Sequence, residues 1–234
     1  MKTVSITCID ALNYFDTIRA LKTTLNTLKN KVNVTRVYWF SDIDFPDSID
    51  TPVTWIKINK MRCYVEEYNF ITLKLLPSIA IEDFNLIIHA DGFAVNETAW
   101  DDKFFNFDYI GAIWCGDGVV GNGGFSLRSR KLYDAMLDVN IFYSIDQYIN
   151  SDIERNHYQN SICDFPDGTD HIPEDNIICR LYKHQFEQQY GLVWAPPEIA
   201  DQFSIEGNMS SKWAGKSLGF HGKHGIALQY GIQL

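Results

Sequence analysis

Short apolar runs separated by one amphipathic segment open the chain. Val4 to Ile9, Val34 to Phe40 and Val53 to Ile58 are compact and apolar, and the first run ends at Asp10. Residues 13–29 carry apolar side chains at spacings of three and four, as an amphipathic helix does. These apolar positions are Phe15, Ile18, Leu21, Leu25 and Leu28. The pattern predicts a strand–helix–strand unit with parallel strands joined by a right-handed crossover.

A strongly apolar run ends in a polar cluster. Leu86 to Ile88 is apolar and β-branched, as in a buried central strand, and His89-Ala90-Asp91-Gly92 follows it directly. Ligands of open α/β sheets bind beyond the carboxyl ends of the strands. One interpretation is therefore that His89 and Asp91 belong to a metal or phosphate site. The other is that Asp91-Gly92 is simply a turn that closes the strand. Both interpretations stay open at this point.

The second half of the chain contains a loop that is rich in glycine. Five glycines occur among residues 116–124, a density that regular structure does not allow. The loop is predicted either to approach a phosphate or a sugar ring closely or to form a long hairpin turn. A predicted strand from Tyr109 to Trp114 precedes it, and an apolar strand resumes after it. Ser129 is predicted to cap a helix from Arg130 to Leu137.

Two further helices are predicted on either side of an irregular region. Tyr64 to Ala80 has a helical pattern that Pro77 either breaks or restarts as a second short turn. Residues 140–170 are polar, aromatic and irregular, and they are predicted to form a lid or an insertion. A helix from Pro173 to about Tyr190 follows, and Gly191 ends it.

Two more polar clusters have alternative interpretations. Glu174 and Asp175, at the start of that helix, would either supply a general base or place negative charge favourably on the helix dipole. Phe220-His221-Gly222-Lys223-His224-Gly225 would form either a diphosphate and metal clamp or an exposed tail. The residues alone leave both pairs of alternatives open.

Composition excludes several classes of protein. The chain has 234 residues, 46% of them hydrophobic and 21% charged, which suits one soluble α/β domain. A net charge of −10 argues against a nucleic-acid binder, because phosphate backbones attract basic surfaces. The five widely spaced cysteines form no C-x-x-C motif and predict reduced thiols. Neither a signal peptide nor a membrane-spanning run occurs, so a cytoplasmic location is expected.

Several well-known motifs do not occur in the sequence. No G-x-G-x-x-G follows the first strand, and no G-x-x-x-x-G-K-S/T is found anywhere. Phosphates are therefore not expected to be held as in Rossmann or P-loop proteins. No serine or cysteine lies in a nucleophile elbow such as G-x-S-x-G.

Five motifs in this order resemble the nucleotide-sugar-dependent glycosyltransferases of the GT-A fold. The motifs are H-A-D-G-F, D-Y-I-G-A-I-W, V-G-N-G-G-F-S-L-R-S-R, P-E-D and F-H-G. More narrowly, they resemble glycosyltransferase-like domains of bacteria, fungi and large viruses, over roughly residues 3 to 225. The G-N-G-G-F-S-L-R-S string is the most specific of them.

The resemblance implies a single α/β domain, residues 1–234, with a mixed, mainly parallel central sheet flanked by helices. Residues from 1 to about 115 would form the nucleotide-binding half. Residues from about 116 to 234 would form the sugar and acceptor half, with the irregular insertion at 140–170.

The resemblance also implies roles for individual residues. An Asp-x-Asp motif in this fold holds the metal ion that bridges the donor diphosphate, and His89-Ala90-Asp91 takes its place here. Asp91 and His221 are therefore implied as metal ligands, and His89, which replaces the first acid, as a ribose contact. Lys223 would reach the diphosphate.

The catalytic base and the donor contacts are implied in the same way. In inverting members of the fold, an acid at the start of the helix that corresponds to the one predicted from Pro173 deprotonates the acceptor hydroxyl. Asp175 matches this acid, with Glu174 as the second choice. The remaining implied donor contacts are Asp10, Tyr68, Asn69, Lys74, Asn122, Gly123 and Gly124.

The implied function is transfer of a hexose or deoxyhexose from a UDP-, GDP- or dTDP-sugar to a hydroxyl of a glycan or other acceptor, with Mn²⁺ or Mg²⁺. A nucleotide-sugar or glycan binding module without turnover is an alternative, because the first acid is replaced. A nucleotidyltransferase is a third, although a glycine-rich basic loop would be expected after its first strand. The base, the sugar, the acceptor and the oligomeric state stay open.

Overall fold

A computed structural model describes residues 1–10, 12–60, 64–114, 116–164, 169–206, 211–222, 227–228 and 230–231 of the chain. The chain divides into two units. The first comprises Met1–Lys60, Glu82–Arg130 and Val193–Leu234, and the second comprises Met61–Ile81 and Lys131–Leu192. Whether they act as the single domain expected from the sequence stays a prediction.

The strands and helices are numbered here along the chain. The strands are β1 (Thr3–Ile9), β2 (Asn33–Ser41), β3 (Val53–Lys57), β4 (Phe84–Ile88), β5 (Gly92–Ala94), β6 (Tyr109–Ile110), β7 (Phe125–Ser129), β8 (Cys163–Asp164), β9 (Asp170–His171), β10 (Ser204–Ile205) and β11 (Gly219–His221). The helices are α1 (Tyr14–Leu28), α2 (Tyr64–Phe70), α3 (Leu76–Ile79), α4 (Arg130–Asp138), α5 (Ile145–Ile149), α6 (Arg155–Tyr158), α7 (Glu174–Asn176), α8 (Lys183–Tyr190) and α9 (Pro197–Phe203). Two π-helical turns span Ile71–Leu75 and Ile177–Leu181, and 3₁₀ turns span Glu97–Ala99, Asp102–Asn106 and Gln159–Ser161.

The first unit is built on a six-stranded sheet in the order β3-β2-β1-β4-β7-β6. β1, β2, β3 and β4 pair in parallel, and β7 is antiparallel to both β4 and β6. A second, three-stranded sheet has the order β10-β11-β5, with β11 antiparallel to β5. The mixed, mainly parallel central sheet expected from the sequence is confirmed.

Strand β4 lies at the centre of the main sheet and is buried along its whole length. Its neighbours are β1 on one side and β7 on the other, so both edges of its backbone are hydrogen-bonded. This explains why the run from Leu86 to Ile88 is continuously apolar rather than alternating. The segment His89–Gly92 follows directly at its carboxyl end.

Helix α1 confirms most of the predicted apolar face, but not its first position. Ile18, Leu21 and Leu28 are buried in the core, whereas the side chain of Phe15 is 88% exposed. The buried face begins at Thr17, and Phe15 projects from the first turn outside that face. The prediction that Phe15 packs inward was therefore wrong.

The helical segment around Pro77 in the second unit contains a π turn. The Leu76 N–H donates to the Ile71 carbonyl, five residues earlier, and Pro77 lies in the short α3 that follows. Because proline has no N–H to donate, widening the preceding turn lets the helical path continue. Pro77 thus lies in a second short turn, which was one of the two predicted alternatives.

The helix predicted from Pro173 to about Tyr190 begins at Glu174, contains a π turn and ends as expected. In that turn the Tyr182 N–H donates to the carbonyl of Ile177, five residues earlier, at 3.0 Å. Gly191 follows α8 with φ of 59°, the left-handed conformation that favours glycine at a helix end.

Of two local predictions around the glycine-rich loop, one was wrong. Ser129 is the last residue of β7 and directly precedes α4, and its hydroxyl donates to Asp108 Oδ1 at 2.6 Å. Its capping of that helix stays a prediction. The predicted strand from Tyr109 to Trp114 is regular only over Tyr109–Ile110. The glycine-rich loop itself is irregular, as predicted.

No helix in the described part of the chain is long and apolar enough to cross a membrane. Cys8, Cys163 and Cys179 are free thiols, as expected, and Cys63 and Cys115 lie outside the described residues.

Asp10 connects strand β1 to helix α1. Its carboxylate accepts hydrogen bonds from the backbone N–H groups of Leu12 and Asn13, both at 2.7 Å, and from the Thr17 hydroxyl. These contacts satisfy donors at the start of α1 that would otherwise lack partners. The predicted contact of Asp10 with a base or ribose stays a prediction.

We expect Asp10→Ala to lower the free energy of unfolding by roughly 1–3 kcal/mol, because it removes a charged acceptor from three donors. Asp152→Ala is the matched control, since Asp152 is exposed. Urea unfolding followed by circular dichroism measures both variants. Equal stabilities of the two variants would show that Asp10 does not hold the start of α1.

Candidate functional site

The segment after β4 is a tight turn. The His89 N–H donates to the Gly92 carbonyl at 2.8 Å, and the Gly92 N–H donates back to the His89 carbonyl at 3.2 Å. Asp91 and Gly92 therefore do belong to a turn, as one of the two interpretations held. The Gly222 N–H donates to the Asp91 carbonyl at 2.9 Å, which ties this turn to the end of β11.

The same turn also gathers polar side chains, as the other interpretation required. In the β5–β11 pairing, His221 lies opposite Gly92 and so beside the turn. The ligand atoms of His89, Asp91 and His221 lie within 4.8 Å of one another, and His221 Nε2 is 3.7 Å from Asp91 Oδ1. Residues 132 positions apart in sequence (89 and 221) thus form one cluster of two imidazoles and one carboxylate.

Two glycines make room for the His221 ring. A Cβ atom on Gly124 would lie 2.1 Å from His221 Nε2, and one on Gly92 would lie 2.6 Å from His221 Cδ2. Such distances are far inside van der Waals contact, so any other residue at these positions would displace the ring. This close approach explains a glycine at the end of the glycine-rich loop and another directly after Asp91.

Glu206 holds the opposite side of the His221 ring. Its Oε1 atom lies 3.1 Å from His221 Nδ1 and accepts a hydrogen bond from Asn122 Nδ2 at 2.8 Å. If His221 Nδ1 donates to the carboxylate, Nε2 is left with a lone pair on the side of Asp91. Glu206, which directly follows the short strand β10, was not predicted from the sequence as a site residue.

The environment keeps His89 neutral. Burial, together with electrostatic interactions with His221 and Arg128, lowers the pKa of His89 to about 3. Arg128 itself is fully buried on β7, where its Nε donates to Ser126 Oγ at 3.1 Å and its guanidinium lies 5.4 Å from the centre of the Tyr109 ring. A neutral imidazole can donate a lone pair to a cation.

The predicted sugar-site residues lie beside this cluster. Asn122 is buried, and its Oδ1 accepts a hydrogen bond from the Gly124 N–H at 3.2 Å. The Gly123 carbonyl accepts from the Ser126 hydroxyl at 2.9 Å. Asn122 donates a hydrogen bond to Glu206, which in turn bonds to His221 Nδ1, and Gly124 lies directly against the His221 ring. Their role at a donor sugar stays a prediction.

The predicted base residues lie at the start of α7 in the second unit. Glu174 is buried, and its Oε2 accepts a hydrogen bond from the Asp175 N–H at 2.7 Å. Asp175 is half-buried, and its Oδ1 accepts from the Asn176 N–H at 2.8 Å. Both carboxylates therefore interact with the N-terminus of the helix, as the dipole interpretation expected. The predicted catalytic role of either residue stays a prediction.

Three predicted donor contacts lie in the second unit as well. Tyr68 and Asn69 are buried, and Asn69 Nδ2 donates to the backbone carbonyls of Tyr143 and Ile172, each at 2.8 Å. Lys74 lies in the first π turn, where burial lowers the pKa of its amine. Their donor contacts stay predictions, and Lys223 lies outside the described residues.

Residues 68–221 match the model of a family described as "Protein of unknown function (DUF5672)". No curated protein matches the chain.

Solved structures are similar over nearly the whole chain. One is the galactosyltransferase LgtC in complex with donor and acceptor sugar analogs, with a TM-score of 0.54, 12% identity, and coverage of 94% of this chain and 86% of that one. Another is a glycosyltransferase involved in the glycosylation of the major capsid of PBCV-1, with a TM-score of 0.50, 11% identity, and coverage of 97% and 95%. At such low identities the likeness shows the fold, which is GT-A-like, as the sequence motifs implied.

We expect Gly124→Ala to move the His221 imidazole out of its position, because the new methyl group would overlap the ring. Gly116→Ala is the matched control, since no atom lies within 4 Å of a Cβ at Gly116. The measurement is the position of the His221 ring signals in ¹H–¹⁵N NMR spectra of both folded variants. Unchanged His221 signals in Gly124→Ala would contradict the close approach.

Proposed function

This chain belongs to the DUF5672 family, and we propose that it is a glycosyltransferase that moves a sugar from a nucleotide-sugar to a hydroxyl of a glycan or other acceptor. The observation that carries the proposal is the cluster of His89, Asp91 and His221 at the carboxyl end of β4 in a GT-A-like fold. The two similar structures named above are described as glycosyltransferases, and one is bound to donor and acceptor sugar analogs. Ligand sites in open α/β sheets lie at this end of the strands.

The cluster fits a divalent cation, because it offers a carboxylate oxygen and imidazole nitrogens within 4.8 Å of one another. Asp91 and His221 would hold the ion. Mn²⁺ or Mg²⁺ in this position would supply positive charge to the departing nucleoside diphosphate. Glu206 would fix the ring of His221, and Gly92 and Gly124 would keep space for it.

The acceptor hydroxyl needs a base, and we assign that role to Asp175. Both carboxylates accept a backbone hydrogen bond, but Asp175 is half-buried whereas Glu174 is buried. This difference favours Asp175 as the group that removes the acceptor proton. Attack by the acceptor oxygen on the face opposite the diphosphate would then invert the anomeric configuration.

A binding module without turnover is the second candidate. The observation that favours it is His89 in the position where the GT-A motif has its first acid, because the cluster holds one carboxylate among its three members. Such a module would bind the nucleotide-sugar at the same cluster and release it unchanged.

Finer details of the proposal follow from the resemblance to the fold. The donor would be a UDP-, GDP- or dTDP-sugar, and the transferred group a hexose or deoxyhexose. The acceptor would meet the irregular residues 140–170. The cytoplasmic location and the absence of nucleic-acid binding stay predictions.

Asp175→Asn separates the two candidate functions. We expect this variant to retain binding of the nucleotide-sugar and to lose about 10²–10⁴-fold in transfer rate, because a carboxamide cannot accept the proton. Asp152→Asn, which changes an exposed acid in the same unit, is the control and should retain full activity. Transfer is measured with a panel of nucleotide-sugars and a mixed glycan acceptor pool, by mass spectrometry.

Two outcomes would contradict the assignment of Asp175. Full transfer by the folded Asp175→Asn variant would remove it as the base. Retention of the anomeric configuration in the product, determined by ¹H NMR, would remove the inverting mechanism. Binding of a nucleotide-sugar without transfer by the unmodified protein would favour the binding module.

A further inference from the structure

We propose that His89 is a third metal ligand, and that two imidazoles and one carboxylate make this centre select a transition-metal ion over Mg²⁺. The inference rests on the proposed function, because it names the kind of ion that the sugar-transfer site takes. It replaces the ribose contact that the resemblance implied for His89.

The geometry of the cluster includes His89 as fully as the other two residues. The ligand atoms of His89, Asp91 and His221 lie within 4.8 Å of one another. Ligand atoms of one tetrahedral ion, with bonds of about 2.1 Å, lie about 3.4 Å from one another. His221 Nε2 and Asp91 Oδ1, which are 3.7 Å apart, are already close to this separation. Side-chain shifts of roughly 1 Å would bring His89 onto the same ion.

The backbone holds His89 where a ligand is needed. Its N–H and carbonyl both bond to Gly92, so the residue is fixed at both polar groups of its main chain. Its ring centre lies 5.5 Å from that of His221, with the planes at 70°. At that distance and angle the two rings are not packed face to face, and both border the same space beside Asp91.

The chemistry of the three ligands determines the ion. Mg²⁺ prefers carboxylate, phosphate and water oxygens in near-ideal octahedral geometry. Imidazole nitrogen binds Mn²⁺ less strongly than it binds Fe²⁺, Co²⁺ or Zn²⁺. It binds each of these four ions more strongly than it binds Mg²⁺. A centre with two nitrogens and one oxygen from the protein therefore favours first-row transition metals.

The ligand charges also suit an anionic substrate. One carboxylate and two neutral imidazoles leave a divalent ion with a net charge of about +1, whereas two carboxylates and one imidazole would leave it near zero. Glu206 is held by His221 Nδ1 and Asn122, on the side of the His221 ring away from Nε2. The remaining positive charge favours a diphosphate group at the open positions of the ion.

The test measures binding of metal ions alone, without nucleotide. The unmodified protein is titrated by calorimetry with Mn²⁺, Co²⁺, Zn²⁺, Mg²⁺ and Ca²⁺ under identical conditions. We expect affinities for Mn²⁺, Co²⁺ and Zn²⁺ that exceed the affinity for Mg²⁺ by at least about tenfold. The visible spectrum of bound Co²⁺ reports the ligand set independently.

Three variants assign the preference to His89. We expect His89→Ala to weaken Co²⁺ binding by about 10–100-fold. His89→Asp should narrow the preference for Co²⁺ over Mg²⁺, because it exchanges a nitrogen ligand for a carboxylate oxygen. His184→Ala, which changes an exposed histidine in the second unit, should behave like the unmodified protein.

Two results would overturn the proposal. One is equal affinity of the unmodified protein for Mg²⁺ and Mn²⁺, and it needs no variant and hence no assumption about folding. The other is Co²⁺ binding by His89→Ala that is indistinguishable from that of the unmodified protein, or a preference for Co²⁺ over Mg²⁺ that His89→Asp leaves unchanged. Either result leaves the proposed sugar transfer standing if a nucleotide-sugar is still consumed, so the two failures can be told apart.

Discussion

The close approach of the His221 imidazole to two glycines is the constraint on which the candidate site depends. The antiparallel pairing of β11 with β5 places His221 opposite Gly92, and the glycine-rich loop passes beneath the same ring at Gly124. A side chain at either glycine would occupy the space of the ring. The late histidine, the turn after β4 and the glycine-rich loop therefore form one structural unit, although they are far apart in sequence.

The central sheet fixes the position of that unit. Strand β4 is hydrogen-bonded on both sides and buried throughout. The turn that follows it therefore has a defined place at the carboxyl end of this central strand. The Gly222 N–H ties the end of β11 to that turn through the Asp91 carbonyl. Glu206, at the end of β10, completes the arrangement by binding His221 Nδ1. Backbone pairing thus sets the spacing of the side chains before any ligand binds.

Much of this could be predicted from the sequence, because the signals are local. The continuous apolar run before His89 indicated a buried strand, the density of glycines at 116–124 indicated an irregular loop, and the spacing of apolar residues in α1 indicated a helix. Glu206 could not be predicted, because nothing in the segment around it indicates that its partners are His221 and Asn122. Phe15 fitted the helical spacing but lies outside the buried face, since spacing alone does not show where a face begins.

Arg128 shows the same limit for the core. A charged residue in an apolar strand is usually expected at the surface, yet Arg128 is fully buried. Its contacts include Ser126 on the same strand and the ring of Tyr109 on the neighbouring strand β6. Such contacts depend on the register of β6 and β7, which is a property of the assembled sheet.

The central claim is that this site binds the diphosphate of a nucleotide-sugar, and a thermal-shift panel tests it most directly. The folded protein is heated with nucleoside diphosphates and nucleotide-sugars, each with and without Mn²⁺. We predict stabilisation by one class of nucleotide, about 2.7 kcal/mol at 100 times the dissociation constant, that grows with Mn²⁺ and loses this growth in Asp91→Ala. If no nucleotide stabilises the protein, either with or without Mn²⁺, the account is contradicted.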